Sequence, residues 1–141
     1  MSFLLDTNVV SELIRKVRNP AVVSWTTGTP LEDLYFSTVG EAELRFGAAI
    51  LPEGRRRQTL LTDIENFLRE AFGDRGLPFD REAAREYADI AASRRSAGRP
   101  VAPADCQIAA VARSRDLTMV TRNVSDFDGI GVKVFNPWGP D

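Results

Sequence analysis

The chain has no histidine and a single cysteine, Cys106, among its 141 residues. The first absence excludes every mechanism that needs an imidazole base, a Ser-His-Asp triad or a histidine-ligated zinc or iron. The second excludes an internal disulfide, a paired-thiol redox motif and a cysteine-rich zinc site; without a histidine beside it, a cysteine-protease nucleophile fails as well. Lysine is scarce too, present only as Lys16 and Lys133 among 18 basic residues, the rest being arginine. Guanidinium forks suit phosphate, although a GC-rich genome gives the same bias. No apolar run approaches the roughly 20 residues that span a bilayer, and the opening MSFLLDTN has no basic stretch ahead of a hydrophobic one. We therefore expect a cytoplasmic protein with no membrane segment, and a lone thiol fits a reducing compartment. Catalysis, if there is any, must come from carboxylates, amides, hydroxyls and arginines.

What is present is ordinary for a folded chain: 43% hydrophobic and 27% charged residues, 10 glycines and 8 prolines. The length suits one domain over residues 1–141. With 18 basic and 20 acidic residues the net charge is −2, so contact with nucleic acid would need a local patch.

Hydrophobic periodicity supplies the order of elements. Ser2 to Leu5 reads as a short buried strand ending at Asp6. Asn8 to Lys16 reads as a helix, with Val9, Val10, Leu13, Ile14 and Val17 on one side. Pro20 opens a second helix that Gly28 ends. Leu34 to Thr38 is aromatic and β-prone, a second strand, followed by a helix from Val39 to Ile50. Arg55 to Phe72 carries Leu60, Leu61, Ile64, Phe67, Leu68 and Phe72 at helical spacing, a stripe that reads as core. Leu77 to Asp80 reads as a short edge strand, because Pro78 is poorly tolerated in a central one. Helices follow from Arg81 to Ala97 and, opened by Pro103, from Ala104 to Arg113; Cys106 on the latter reads as a small core residue. Leu117 to Thr121 and Gly131 to Phe135 close the pattern as strands. The order predicts an α/β fold, a small, mainly parallel sheet flanked by helices.

In such sheets the functional crevice lies at the carboxyl ends of the strands. Asp6 closes the first strand, Glu43 stands about one helical turn beyond the second, Asp105 opens the helix at Pro103, and Asn123 and Asp126 follow the strand ending at Thr121. Each has a plain structural reading alone: Asp6 as a helix cap, Asp105 as a carboxylate offsetting a helix dipole, Glu43 as a solvated helix residue with Glu41 as its competitor, Asn123 and Asp126 as turn residues. Their joint placement at strand ends points to one site. Several carboxylates that close repel one another unless a cation neutralises them. With oxygen donors only, Mg²⁺ or Mn²⁺ is the preferred occupant, and such an ion can activate water and polarise a phosphoryl oxygen.

Four segments carry a resemblance: LLDTNVVSEL from Leu4, EAELRFG from Glu41, PADCQIAA from Pro103 and TRNVSDFDGIGVKVFNPW from Thr121 to Trp138. In this order they are similar to the motif regions of PIN-domain ribonucleases, nearest to the VapC toxin branch and its FitB-like members. The resemblance implies a PIN-like domain and a Mg²⁺- or Mn²⁺-dependent endoribonuclease acting on RNA. It also implies inhibition by a cognate VapB-type antitoxin, and a homodimer. It makes Asp6, Glu43, Asp105 and Asp126 the expected catalytic residues and metal ligands, with Glu43 orienting or deprotonating the nucleophilic water. Asn8 matches the polar residue that supports the first aspartate. Asn123 and Asp126 both remain open for the fourth position. Thr7, Asn8, Thr121, Arg122 and Asn123 are the expected substrate contacts.

Two arginine clusters, Arg55-Arg56-Arg57 and Arg94, Arg95, Arg99, read either as an RNA path or as solvated helix faces, with the latter favoured. Two other functions compete. One is an aspartyl-phosphate hydrolase using Asp6, against which Asn8 counts, because such sites want a second acid there. The other is a non-catalytic α/β interaction module.

Overall fold

The computed structural model describes residues 1–139; positions 140 and 141, which the one-domain reading included, lie outside the described residues. Four short strands, β1 (Phe3–Leu5), β2 (Leu34–Tyr35), β3 (Thr118–Val120) and β4 (Val134–Phe135), form a sheet in the order β2-β1-β3-β4, and every pairing is parallel. Six helices connect them: α1 (Thr7–Ile14), α2 (Pro20–Thr27), α3 (Thr38–Ala49), α4 (Arg55–Ala71), α5 (Arg81–Ser96) and α6 (Pro103–Ser114). Parallel strands need long crossovers. The β3–β4 connection differs from the others in having only a 3-10 turn, Val124–Phe127.

Alternation along the strands divides the core into two layers. Leu4 and Met119, paired across β1 and β3, join Ile90 of α5 and Ile108 and Val111 of α6 on one face. Leu5 and Val120, one residue on, join Val9 and Leu13 of α1, Val22 of α2 and Ile64 and Leu68 of α4 on the other. A one-residue slip would exchange the faces, so this register is strongly specified. The Leu60 to Phe72 stripe is core as expected: Ile64, Leu68 and Phe72 are buried, and Phe72 stacks on Phe36 at 5.7 Å between ring centroids. Cys106 is buried.

The last strand is shorter than expected, Val134–Phe135 rather than Gly131 to Phe135, and three further boundary shifts have a visible local cause. The first helix stops at Ile14, two residues before Lys16, and Val17 is 83% exposed. There Glu12, itself buried, accepts hydrogen bonds from Arg15 Nη1 at 3.3 Å and from the Asn19 N–H at 3.1 Å, turning the chain toward Pro20. The second strand ends at Tyr35 because Ser37 caps α3, accepting from the Gly40 N–H at 2.9 Å. At Gly40 a Cβ would sit 2.5 Å from the Phe36 ring, so only glycine lets α3 start this close to the core. The third is Leu77–Asp80, which forms no full strand. Leu77 makes a single parallel bridge to Ser37, and Asp80 caps α5 by accepting from the Ala83 N–H. Pro78 has no N–H with which to continue the ladder.

Candidate active site

Asp6 leaves β1 at the centre of the sheet, and its N–H donates to the Val120 carbonyl at 2.8 Å, tying it to the end of β3. Its side chain caps α1. Oδ1 accepts from the Thr7 N–H at 2.8 Å, and Oδ2 accepts from the Thr121 hydroxyl at 2.7 Å. The capping reading of Asp6 is therefore correct in itself, but it occupies only part of the carboxylate. Burial pushes this carboxyl above the usual range. The bonds from Thr121 and Thr7 pull it back, while the charges of Glu43 and Asp126 push it further up.

Glu43, on the second turn of α3, reaches across to α1, where the Thr7 hydroxyl donates to its Oε1 at 2.6 Å. Asp105 sits in the first turn of α6 and is half-buried. Burial first, then the charges of Asp6, Glu43 and Asp126, raise its carboxyl to about 6. Asp126 lies on the 3-10 turn after β3, exposed, yet its charge is felt at both Asp6 and Asp105. The four acidic residues thus occupy one electrostatic environment, and no cationic side chain among the described residues is a cause that lowers Asp6 or Asp105. Among the described residues, no three Asp, Glu, His or Cys side chains are placed to hold a metal ion unaided.

The expected substrate contacts divide by exposure. Thr121 is fully buried, and its hydroxyl is saturated: it donates to Asp6 and accepts from Asn8 Nδ2 at 3.3 Å and from the Asn123 N–H at 3.0 Å. That leaves it no hydrogen for a ligand; it orients Asp6 instead. Asn8 is engaged twice, since its Oδ1 also receives the Arg122 N–H at 3.5 Å. Thr7 is half-buried, and Arg122 and Asn123 are exposed; the Arg122 guanidinium lies 5.3 Å from the centroid of the Trp138 ring. A cation held over an aromatic face keeps its N–H edges free to meet a phosphate.

Replacing Thr121 by Val keeps the shape but strands the Asn8 amide and the Asn123 N–H without their acceptor. We expect a loss of about 1–3 kcal/mol of folding stability, read as a lowered urea midpoint. An unchanged midpoint would refute the saturated hydroxyl.

The arginine clusters separate. Arg55 and Arg56, exposed at the start of α4, line a cleft of about 800 Å³ that opens beside Thr7 and Glu43 and is floored by Leu44, Leu60 and Ile64. Arg95 and Arg99 are exposed. Arg94 belongs to neither an exposed path nor a solvated face: it is only 9% exposed and donates to three backbone carbonyls. Sequence reasoning missed it, although a signal exists. Ala83, Ile90 and Arg94 are spaced seven and four residues apart on the buried side of α5, a position where an arginine needs an explanation.

The PIN domain family matches residues 3–132. VapC ribonuclease Y4jK of Sinorhizobium fredii is 40% identical over 137 residues, covering 97% of this chain and 98% of that protein. Toxin FitB of Neisseria gonorrhoeae is 42% identical over 135 residues, 96% of this chain and 97% of FitB. Among solved structures, that of FitAB bound to an IR36 DNA fragment holds a chain with a TM-score of 0.89 and 40% identity, covering 99% of this chain and 97% of that one.

Proposed function

The chain belongs to the PIN-domain family, in the branch of the VapC and FitB toxins, and from this we propose that it is a divalent-metal-dependent endoribonuclease, the toxin half of a toxin-antitoxin pair. The observation that carries the reading is the excess of negative charge at the strand ends. Asp6, Glu43, Asp105 and Asp126 come from four separate segments; burial first raises the carboxyls of Asp6 and Asp105, the charges of Glu43 and Asp126 raise both further, and no cationic side chain is among the groups that lower them. A set of oxygen donors with uncompensated charge suits Mg²⁺ or Mn²⁺, and Mg²⁺ in particular binds through one or two carboxylates while keeping several waters. The lack of a ready-made protein cage is compatible with that habit.

Asp6 and Asp105 would hold the ion, with Glu43 and Asp126 completing its surroundings. Asp126 is favoured over Asn123 for the fourth position because its charge reaches both aspartates. When bound, the ion neutralises the carboxylates, lowers the pKa of water and polarises the phosphoryl group. The residues of the chain then have distinct tasks. Thr121 and the Thr7 N–H fix the rotamer of Asp6 from two sides. The Thr7 hydroxyl anchors Glu43 by Oε1, leaving Oε2 to orient the attacking water and take its proton. Arg122 offers a fork to the backbone phosphate, with Thr7, Asn8 and Asn123 around it, and Arg55 and Arg56 extend the basic surface along the cleft. Asn8 is engaged with Thr121 and the Arg122 N–H, which leaves no acid there for an aspartyl-phosphate mechanism.

The partner in this reading is a VapB-type antitoxin. The apolar floor of the cleft and Phe46 and Ile50, each 66% exposed on and just after α3, provide surface for it and for a homodimer. Among the described residues no helix is long and apolar enough to cross a membrane, and we place the activity in the cytoplasm, where RNA is met. The test is incubation of the purified chain with total RNA in Mn²⁺ and in excess EDTA. Defined cleavage products with Mn²⁺ and none with EDTA are expected; intact RNA under both conditions sinks the reading.

A further inference from the structure

We propose that Arg94 is a positioning residue for the metal site, acting through the backbone of the turn that carries Asp126. It lies in the last turn of α5. Its guanidinium uses two edges. Nε donates to the Arg99 carbonyl at 2.7 Å, and Nη1 donates to the carbonyls of Asp126 at 3.0 Å and Asp128 at 3.2 Å. One side chain therefore clamps the end of its own helix, the link toward α6, on which Asp105 sits, and the 3-10 turn bearing Asp126. Arg99 adds a weaker tie to the same turn, from Nη2 to the Ser125 carbonyl at 3.5 Å.

Three facts point to positioning rather than to general support. The turn stands in the crossover that lacks an α-helix, so no repeating backbone ladder fixes Asp126. Phe127 is its one buried side chain, and Asp126 itself is exposed, so apolar packing anchors the turn at a neighbour of the functional residue. Arg94 makes no ion pair among the described residues; its partners are backbone carbonyls. A flat fork with divergent donors suits that geometry, and a lysine ammonium, with one centre, cannot reach both directions. Groups that orient a metal ligand through a single hydrogen bond are typically worth 10–100-fold in affinity.

The inference rests on the reading of the four carboxylates as a divalent-ion site. Its test is Mn²⁺ binding by titration calorimetry, without RNA, for wild type, Arg94→Lys, Asp126→Ala and the double variant, with Ile90→Val as a folded control destabilised on the same helix. Arg94→Lys is expected to bind Mn²⁺ about 10–100-fold more weakly, and the loss should vanish in the Asp126→Ala background, which a general loss of stability would not produce. Ile90→Val is expected to bind as wild type does. If Arg94→Lys does not fold, Ser125→Gly loosens the same turn from its exposed side and is expected to weaken binding in the same direction. Wild-type affinity in the folded Arg94→Lys or Ser125→Gly chain, or an equal loss with and without Asp126, overturns the proposal alone. A wild-type chain that binds no Mn²⁺ overturns both the proposal and the metal reading beneath it.

Discussion

Changing Asp6 to Asn is expected to lower Mn²⁺-dependent RNA cleavage by on the order of 10³-fold while leaving the chain folded. The substitution keeps the outline of the side chain, and an amide oxygen can still accept the Thr7 N–H at the start of α1. What disappears is the negative charge at the centre of the strand edge. That charge is costly to the fold: the residue is 4% exposed, and burial, with Glu43 and Asp126 nearby, raises its carboxyl. The amide nitrogen that then faces Thr121 cannot accept its hydroxyl proton, which offsets part of this relief, so the melting temperature should stay near the wild-type value as activity falls. The measurement is paired, initial cleavage rates on a single RNA and thermal melting in the same buffer. Residual activity within tenfold of wild type would remove Asp6 from the reaction, and collapse of the fold would show its capping role to outweigh its charge.

Asp105 carries the second large effect, through pH. Its carboxyl sits at about 6, above the ordinary 3.8, so the metal-free folded chain binds that proton more tightly than the unfolded chain does. Stability from this group is complete below about pH 4 and is lost as pH rises through 6. Asp105→Asn is thus expected to stabilise the metal-free protein by about 1–2 kcal/mol at pH 7.5 and not at all at pH 4. Mn²⁺ competes with the same proton. It should raise the melting temperature of the wild type more at pH 7.5 than at pH 5, and cleavage should climb through pH 6. Melting curves at the two pH values, with and without Mn²⁺, read all of this. A wild type and variant of equal stability at pH 7.5 would mean that the carboxylates are not crowded. Both variants belong to the same trade, a fold that gives up stability for a charged site.

Much of this was legible in the residues because strand ends and helix starts announce themselves. Asp6 after an apolar triplet, Asp105 after a proline and the aromatic run before Ser37 placed the strands and the edge of the sheet where the carboxylates gather. Other features depend on contacts that periodicity cannot carry. Thr121 reads as a substrate contact next to Arg122, but its role follows from three partners, of which Asp6 and Asn8 are more than a hundred positions away. Arg94 reads as one of a cluster, yet its function follows from carbonyls on two loops. Val17 reads as part of an apolar face until a buried Glu12 bends the chain before it can fold inward. Local pattern placed the elements; long-range hydrogen bonding assigned the work of particular side chains.

The pairing of β1 with β3 has a consequence for the order of events in synthesis. Phe3 to Leu5 leave the ribosome before their central neighbour, Thr118 to Val120, which is made more than a hundred residues later, and the Asp6 N–H has its acceptor only at Val120. Contacts of such sequence separation form late. Nascent chains that stop short of Thr118 expose Leu4 and Leu5 without a sheet to cover them and hold no assembled site. The hazard that a half-made nuclease would pose to the RNA around it is thereby deferred until translation has nearly reached Phe135.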